Sequence, residues 1–235
     1  MISDKAEVLS YVPESSTVGA FTYIDKDVVI GENVKIHPNV TIYSGVNIGN
    51  NVEIFPGAFI GKAPKGKALD TNNSYENRIT IGDWVVIGPN AIIYLGDEIQ
   101  DETMIGDGVS IRENCSIGKH CIIGRGTTIN YATKIGNRVK IMDLSHVTAH
   151  SVLHDNVFVG PHCCMADDNG FGKDDTNAEF VGGPEIFENA NLGEGVRLLP
   201  MVKIGANAIV GAGAVVTKDV MPDVTVMGVP AKIIK

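Results

Sequence analysis

Aliphatic residues recur at every sixth position along most of the chain. This recurrence passes without a polar interruption through three runs, within residues 18–60, 81–165 and 186–216. A second column, two positions before each aliphatic, holds mainly valine, alanine, threonine, serine and cysteine. Because side chains two apart on a strand point to the same face, both columns face one interior. The pattern predicts very short strands, one in every six residues.

Three such units close one triangular coil, so that every third strand begins a new level of the stack. Stacked coils then form an all-β tube, a parallel β-helix of about nine or ten coils with neighbouring strands about 4.8 Å apart. A sandwich or barrel of short strands is the alternative, but such folds vary their strand and loop lengths and do not keep a six-residue phase. We assign residues 1–17 to an N-terminal lead-in, 18–217 to the β-helix and 218–235 to a C-terminal cap.

Glycine often follows the inward aliphatic, as at Gly31 and Gly118. We expect these glycines to adopt the unusual backbone angles of the corners. Two interruptions of equal length break the repeat, which predicts loops at 62–79 and 166–185 that leave the tube. The first loop could meet a diphosphate and stack on a base, or it could simply be solubilising; the residues concerned are Lys62, Lys65, Lys67, Tyr75 and Arg78.

The formal net charge of −9 at pH 7 disfavours nucleic acid as a partner, because phosphates attract a basic surface. The first residues lack the apolar run of a secretory signal, and no stretch approaches the roughly 20 apolar residues of a membrane span. A cytoplasmic protein is therefore expected. The four cysteines lack the spacing of a zinc or thioredoxin motif, and no metal is expected. Three of them occupy the small inward column: Cys115, Cys121 and Cys163.

The C-terminal segments IGANAIVGAGAVVTKDV (residues 204–220) and VMGVPAKI (residues 226–233) resemble the closing signature of the hexapeptide acyltransferases. The resemblance implies a left-handed winding, a homotrimer, and acyl-CoA (acetyl-CoA) as the co-substrate against the last coils. Threefold packing of flat faces would place the active site between subunits. The residues implied to contact coenzyme A are Gly211, Ala212, Gly213, Ala214, Lys218 and Lys232.

Three central segments, residues 105–113, 129–135 and 139–148, resemble nucleotide-sugar N-acyltransferases. Those enzymes acylate an amino group of a dTDP- or UDP-linked deoxysugar, and the resemblance implies the same activity here. At the second loop, where such relatives tend to carry Thr-Asn-Asp-Asn, this chain has Ala-Asp-Asp-Asn at residues 166–169. Alternatives are O-acylation of a sugar or serine, a γ-type carbonic anhydrase, whose histidine pattern is absent, and a non-catalytic structural β-helix.

Residues 18 apart should lie above one another on one face of the tube. His146 is then expected between Thr128 and Cys164, and His150 below Asp168. Another column should stack Glu113, Tyr131, Ala149 and Asp167. The candidate substrate-binding residues on this side of the tube are Glu113, Asn130, Tyr131, Asp167 and Asn169.

Amide formation at a thioester requires the attacking amine to lose a proton, and a histidine with a pKa near neutrality suits that task. His146 is the first candidate for this catalytic base. His150 beside Asp168 is the rival, because a carboxylate can orient an imidazole and raise its basicity. Either histidine could instead be a hydrogen-bonded surface residue. The leaving thiolate could also take the proton, which would reduce His146 to positioning the sugar.

Asp97 is the one charged residue of the small inward column in the central run. An unpaired buried carboxylate is strongly destabilising, so it should either find a partner or lie on a strand that bulges outward. Together with Glu98 and Glu102 it could form an acidic cluster that holds the cationic amino group of a sugar.

Overall fold

The computed structural model describes residues 1–65, 77–170 and 182–235. Strands of two to four residues form three sheets, which are the faces A, B and C of a triangular tube. Face A consists of β2 (Thr17–Val18), β5 (Lys35–Ile36), β8 (Glu53–Ile54), β11 (Val86–Ile87), β14 (Met104–Ile105), β17 (Ile122–Ile123), β20 (Lys140–Ile141), β23 (Phe158–Val159), β26 (Asn191–Leu192), β29 (Ile209–Val210), β31 (Thr225–Met227) and β32 (Lys232–Ile233). Face B consists of β1 (Glu7–Val8), β3 (Tyr23–Ile24), β6 (Thr41–Ile42), β9 (Phe59–Lys62), β12 (Ile92–Tyr94), β15 (Ser110–Ile111), β18 (Thr128–Ile129), β21 (His146–Val147), β24 (Cys164–Met165), β27 (Arg197–Leu198) and β30 (Val215–Val216). Face C consists of β4 (Val29–Ile30), β7 (Val46–Ile48), β10 (Ile79–Ile81), β13 (Glu98–Ile99), β16 (Ser116–Ile117), β19 (Lys134–Ile135), β22 (Val152–Leu153), β25 (Glu185–Ile186) and β28 (Lys203–Ile204).

Each coil runs from face A through face B to face C and then rises to the next coil. Strands of adjacent coils pair in parallel, typically between residues 18 apart, such as Tyr23 with Thr41. Within the described ranges the one antiparallel pair is the terminal hairpin of β31 and β32. These observations confirm the predicted left-handed parallel β-helix. Its 11 strands on face B extend the tube slightly beyond the nine or ten coils expected.

The aliphatics of all three runs form one continuous core, and none is more than 6% exposed. The small inward column completes this core, including the three cysteines predicted to face inward. Its hydroxyl side chains are buried without being orphaned: Thr103 donates to the carbonyl oxygen of Gly118 at 2.8 Å, and Ser145 donates to that of Gly160 at 3.0 Å. Such bonds let a polar residue replace valine inside the tube. Among the described residues there is no helix of the length and apolarity that crossing a bilayer requires.

Apart from Gly61, which has a φ of 87°, the glycines that follow the inward aliphatics do not take the left-handed conformation that we predict for them. Positive φ angles recur two residues later instead, at Asn33 (57°) after Gly31 and at His120 (56°) after Gly118. The glycines are needed because coils approach closely there: a Cβ added to Gly31 would lie 2.6 Å from the carbonyl oxygen of Gly49. The prediction was wrong because contact between coils, not backbone strain, selects glycine at this position.

The tube continues past residues 18–217 at both ends. Ile2 forms a parallel bridge with Val18, and Val220 forms one with Ile204. The two members of each bridge are closer in sequence than the stacked partners of the regular coils, so the outermost coils are shorter than the rest and break the six-residue phase. The C-terminal hairpin of β31 and β32 extends face A, and the segment between its strands reaches face B, where the amide of Val215 donates to the carbonyl oxygen of residue 228 at 3.1 Å.

Both insertions leave the tube at the corner between faces B and C. The first follows β9 and ends at β10, and the second follows β24 and ends at β25. The strand after each insertion pairs with the face C strand of the preceding coil: β10 pairs with β7, and β25 pairs with β22. The parallel register therefore resumes unchanged after each insertion. Lys67 and Tyr75 of the first predicted loop lie outside the described residues.

Candidate active site

His146 occupies the outward position of β21 on face B. Thr128 and Cys164 are its register partners on the adjacent strands, which confirms the neighbours expected from the repeat spacing. Its Nδ1 lies 2.7 Å from the hydroxyl oxygen of Thr128. Burial lowers the pKa of His146 below its ordinary value, and the negative charge of Asp167 offsets part of this change. The imidazole is therefore neutral near pH 7 and can accept a proton.

His150, the rival base, lies at the B–C corner instead of on the flat face. It is exposed and has a left-handed backbone with φ of 58°. Its ring meets that of Tyr131 edge-on, with centroids 5.3 Å apart and planes at 89°. The carboxylate of Asp168 accepts a short hydrogen bond from the backbone N–H of Gly170. His146 therefore lies on face B, whereas His150 lies at the corner between faces B and C.

Arg112 organises the B–C corner next to this face. Its Nε and Nη2 donate to the two carboxylate oxygens of Glu113 at 2.8 and 2.7 Å. This pairing raises the pKa of Arg112 above its ordinary value. The guanidinium carbon lies 5.2 Å from the ring centroid of Tyr94 and 5.9 Å from that of Tyr131. On the other side, Nζ of Lys62 lies 4.9 Å from the Tyr94 centroid. Cations and aromatic rings thus alternate along the edge, and we refer to Lys62, Tyr94, Arg112 and Tyr131 as the corner ladder.

The remaining substrate-binding candidates lie at the same B–C corner as the corner ladder. The backbone oxygen of Asn130 accepts a hydrogen bond from Oγ1 of Thr133 at 2.7 Å. The backbone oxygen of Asp167 accepts one from the amide of Gly182 at 2.8 Å, which closes the base of the second insertion. Asn169 is exposed nearby. The predicted residues that share this corner are Glu113, Asn130, Tyr131, Asp167 and Asn169.

Asp97, Glu98 and Glu102 do not form the acidic cluster that we expected. Asp97 is 3% exposed and points into the tube, so the predicted alternative of an outward bulge is wrong. Glu98 points outward from face C, where it accepts a hydrogen bond from Gln100 at 3.1 Å. Glu102 lies at the C–A corner, 3.2 Å from Nδ1 of His120. Neighbouring residues of a strand point to opposite sides, so Asp97 points inward and Glu98 points outward. Glu102 lies in the turn after this strand, away from both.

The buried carboxyl of Asp97 is only half satisfied. Its Oδ1 accepts a hydrogen bond from the amide of Cys115 at 2.8 Å, whereas its Oδ2 finds no partner within the described part of the chain. Burial raises the pKa of Asp97 well above its ordinary value. Burial likewise raises the pKa of the Cys115 thiol, and Asp97 adds to that increase. Burial thus favours the protonated form of Asp97 inside the tube.

The residues expected to contact coenzyme A lie at the C-terminal end, above His146. Residues 211–213 form the turn between β29 and β30, and a Cβ added to Gly213 would meet no atom within 4 Å. The turn is therefore open at Gly213, where a slender part of a ligand has room to approach, whereas a Cβ added to Gly211 would lie 2.9 Å from Cβ of Met227. Ala214 differs: it is 0% exposed, so its methyl group belongs to the core and cannot touch a ligand. Lys218 and Lys232 are exposed.

Comparisons with known families agree with this architecture. The sequence profile described as "Bacterial transferase hexapeptide (six repeats)" matches residues 10–44, 27–62 and 98–131, and the profile "Hexapeptide repeat of succinyl-transferase" matches residues 188–218. A candidate acetyltransferase of Schizosaccharomyces pombe is 30% identical over 159 residues, which are 66% of this chain and 74% of that protein. The chain belongs to the hexapeptide-repeat acyltransferase family.

Two further proteins resemble this hexapeptide acyltransferase. The serine acetyltransferase of Buchnera aphidicola subsp. Schizaphis graminum is 48% identical over 52 residues, which are 22% of this chain and 20% of that enzyme. The chain thus spans only about a fifth of that relative. The solved structure of the Arabidopsis UDP-N-acetylglucosamine acyltransferase superposes with a TM-score of 0.62 at 19% identity, covering 99% of this chain and 73% of that chain. At that identity the superposition demonstrates a common fold.

Proposed function

We propose that this hexapeptide acyltransferase moves an acyl group, in the first place acetyl, from acyl-CoA to the amino group of a dTDP- or UDP-linked amino-deoxysugar. The observation that carries the proposal is the half-buried, neutral imidazole of His146, held by Thr128 on an otherwise flat face. The three central segments that resemble nucleotide-sugar N-acyltransferases support the choice of acceptor.

In the proposed reaction His146 is the general base. The reaction requires the tautomer in which Nδ1–H donates to the hydroxyl oxygen of Thr128, 2.7 Å away, because Nε2 then carries the lone pair that takes a proton. The amine nitrogen attacks the thioester carbonyl carbon while Nε2 removes a proton from it. The new C–N bond forms, the C–S bond breaks, and the departing thiolate takes up the proton. The negative charge of Asp167 stabilises the imidazolium in between.

The environment of His146 favours an amine over a hydroxyl as the acceptor. Its Nδ1 partner is a neutral threonine rather than a carboxylate, and burial lowers its pKa. The result is a weak base. A weak base suffices for an amine, which is already nucleophilic, but activates an alcohol poorly.

O-acylation is the second candidate. It is favoured by the likeness to a serine acetyltransferase and by the charge of Asp167, which raises the basicity of His146 toward what an alcohol requires. The two functions make opposite predictions for matched acceptors that differ only in an amino or a hydroxyl group.

We further infer that the protein works as a cytoplasmic homotrimer. A flat face that carries a half-buried histidine can be completed by the face of a second copy, and threefold symmetry closes such an assembly. Each active site would then combine residues of two chains. Sedimentation equilibrium measures the stoichiometry, and a monomer that retains activity would contradict the inference.

Thiol release from acetyl-CoA tests the reaction. Release should occur with dTDP- or UDP-linked amino-deoxysugars and not with the matching hydroxyl sugars. His146→Ala should lower the rate by about 10²–10⁴-fold. His120→Ala, at the distant C–A corner, is the matched control and should leave the rate unchanged. Release with the hydroxyl sugars alone would establish the second candidate, and no release with either class would reject both.

A further inference from the structure

A β-bulge shapes the chain where the first insertion leaves the tube. β9 pairs with β12 so that Lys62 lies opposite Tyr94, and Gly61 is left over between two coils. Gly61 has a φ of 87°, and a Cβ there would lie 2.8 Å from Cγ2 of Val46, so no larger residue fits. The extra residue redirects the Lys62 side chain over the Tyr94 ring. Bulges of this kind commonly re-aim a side chain beside a functional site.

A cleft of about 560 Å³ opens at the bulge, a volume within the usual range of small-molecule sites. Tyr43 and Tyr94 contribute aromatic rings to its lining, and Lys62 and Lys65 contribute ammonium groups. Asp25 lines its lower end. The ring of Tyr94 is already approached by the cations of the corner ladder, whereas Tyr43 is exposed and offers its ring to a ligand.

The two lysines of the cleft differ from Arg112 in their electrostatic balance. Arg112 is neutralised by the carboxylate of Glu113. Within the described ranges no carboxylate oxygen lies within 4.0 Å of the ammonium group of Lys62 or Lys65. Two cations with no carboxylate partner among the described residues, beside an exposed ring, match an anion attached to a planar base. A carboxylate such as Asp25 can in addition accept hydrogen bonds from ribose hydroxyls.

The cleft and the C-terminal turn lie on opposite sides of His146. From β12, which carries Tyr94, three strand steps along face B lead to β21, and three more lead to β30. With neighbouring strands about 4.8 Å apart, each distance is about 14 Å. That span is comparable to an extended diphosphate linking a nucleoside to a sugar. His146 is therefore about midway between the cleft and the C-terminal turn at residues 211–213, each of which could hold one end of a long substrate.

We infer that this cleft binds the nucleoside diphosphate of the sugar nucleotide, with the base against Tyr43, the phosphates on Lys62 and Lys65, and the ribose near Asp25. The inference rests on the proposed function for the identity of the acceptor. Coenzyme A also contains a nucleoside diphosphate, but its expected place at residues 211–213 assigns the cleft to the other substrate.

Calorimetric titration of the full-length protein tests the inference. UDP, dTDP, ADP and coenzyme A serve as separate probes. In the double variant Lys62→Gln, Lys65→Gln and in Tyr43→Leu, the Kd of the tighter-binding pyrimidine diphosphate should rise about tenfold or more, while that of coenzyme A should stay within about twofold. Lys134→Gln, an exposed lysine on face C, is the matched control and should change neither value.

The possible results test the nucleotide-binding role of the cleft and the proposed reaction separately. An equal loss of affinity for coenzyme A would assign the cleft to the coenzyme and overturn the inference, as would an unchanged Kd for the pyrimidine diphosphates. If the enzyme acylates an amino-sugar nucleotide but the double variant keeps its KM, the cleft is wrong and the reaction stands. If lysine-dependent binding of UDP or dTDP persists without any acyl transfer, the reaction is wrong and the cleft stands.

Discussion

The hydroxyl of Thr128 lies 2.7 Å from Nδ1 of His146, one strand below it on face B. A neutral hydroxyl orients the ring without adding the full charge that a carboxylate would bring. Together with burial, this keeps the imidazole weakly basic, and its Nε2 makes no hydrogen bond within the described part of the chain. The base strength of His146 then depends on Asp167, which acts through its charge.

Asp167→Asn should move the acid limb of the pH profile of kcat/KM to lower pH. Asp167 raises the pKa of His146, so removing its charge lets that pKa fall further below its ordinary value. A general base works only when deprotonated, so activity should appear at lower pH. The profile is measured with acetyl-CoA between about pH 5 and 8, where histidine titrates. Asp107→Asn, at an exposed corner, serves as the control, and a limb that stays in place would show that His146 does not govern it.

Asp97→Asn should make the stability less dependent on pH. Because the pKa of Asp97 is raised in the folded protein, the folded state keeps this proton at pH values where the unfolded chain has lost it. Wild-type stability therefore falls as pH rises from the unfolded pKa, about 3.9, through the folded one. Asparagine keeps the acceptor for the amide of Cys115 and cannot ionise. Urea unfolding of both proteins across this range measures the effect, and parallel stability curves would rule the explanation out.

Glu113→Gln should destabilise the fold through Arg112. The Glu113 side chain is 10% exposed and that of Arg112 25%, so the variant leaves a largely buried guanidinium without its counter-charge. We expect a loss of about 1–3 kcal/mol, below the 3–5 kcal/mol of a fully buried pair because Arg112 retains some water. Chemical denaturation provides the measurement. Asp143→Asn breaks the exposed pair with Arg125 and should change the stability little. Equal effects in the two variants would contradict the role of burial.

Lys218→Gln and Lys232→Gln should each raise the KM for acetyl-CoA several-fold and leave kcat nearly unchanged. Both lysines are exposed at the end of the tube, and the family resemblance implies that they contact coenzyme A, so they would act on binding in the ground and transition states alike. The effect should shrink with added salt, since exposed charges are screened within about 10 Å at 0.1 M. Lys5→Gln at the opposite end is the control. A fall in kcat with KM intact would argue against a binding role.

The register of the tube can be predicted because an inward aliphatic recurs at a fixed spacing of six residues in every regular coil. The column of Thr128, His146 and Cys164 could therefore be assigned from spacing alone. The reach of long side chains was not predictable in the same way. Arg112 lies one coil after Tyr94, but periodicity locates only the Cβ atoms and says nothing of a guanidinium that bridges two rings.

The six-residue pattern also does not predict the places where a coil gains or loses residues, because the pattern describes only the regular coils. The bulge at Gly61 adds one residue, and the coil that joins Ile2 to Val18 is shorter than the others. The sequence does not decide the direction of Asp97, because the unfavourable burial of a carboxylate argues against the alternation of the strand. Alternation prevails in the structure, and burial raises the pKa of Asp97, which favours the form that carries no charge.

Because both insertions enter and leave at the B–C corner, neither one displaces a strand of face B. Their length and composition can change without moving Thr128 or His146, and the parallel register resumes beyond them. The second insertion begins beside Asp167, whose charge acts on His146, whereas the first insertion lies two or more coils away from that pair. If the proposed function holds, exchanging the first insertion between relatives should change the acceptor and leave the pH dependence of the reaction as it is.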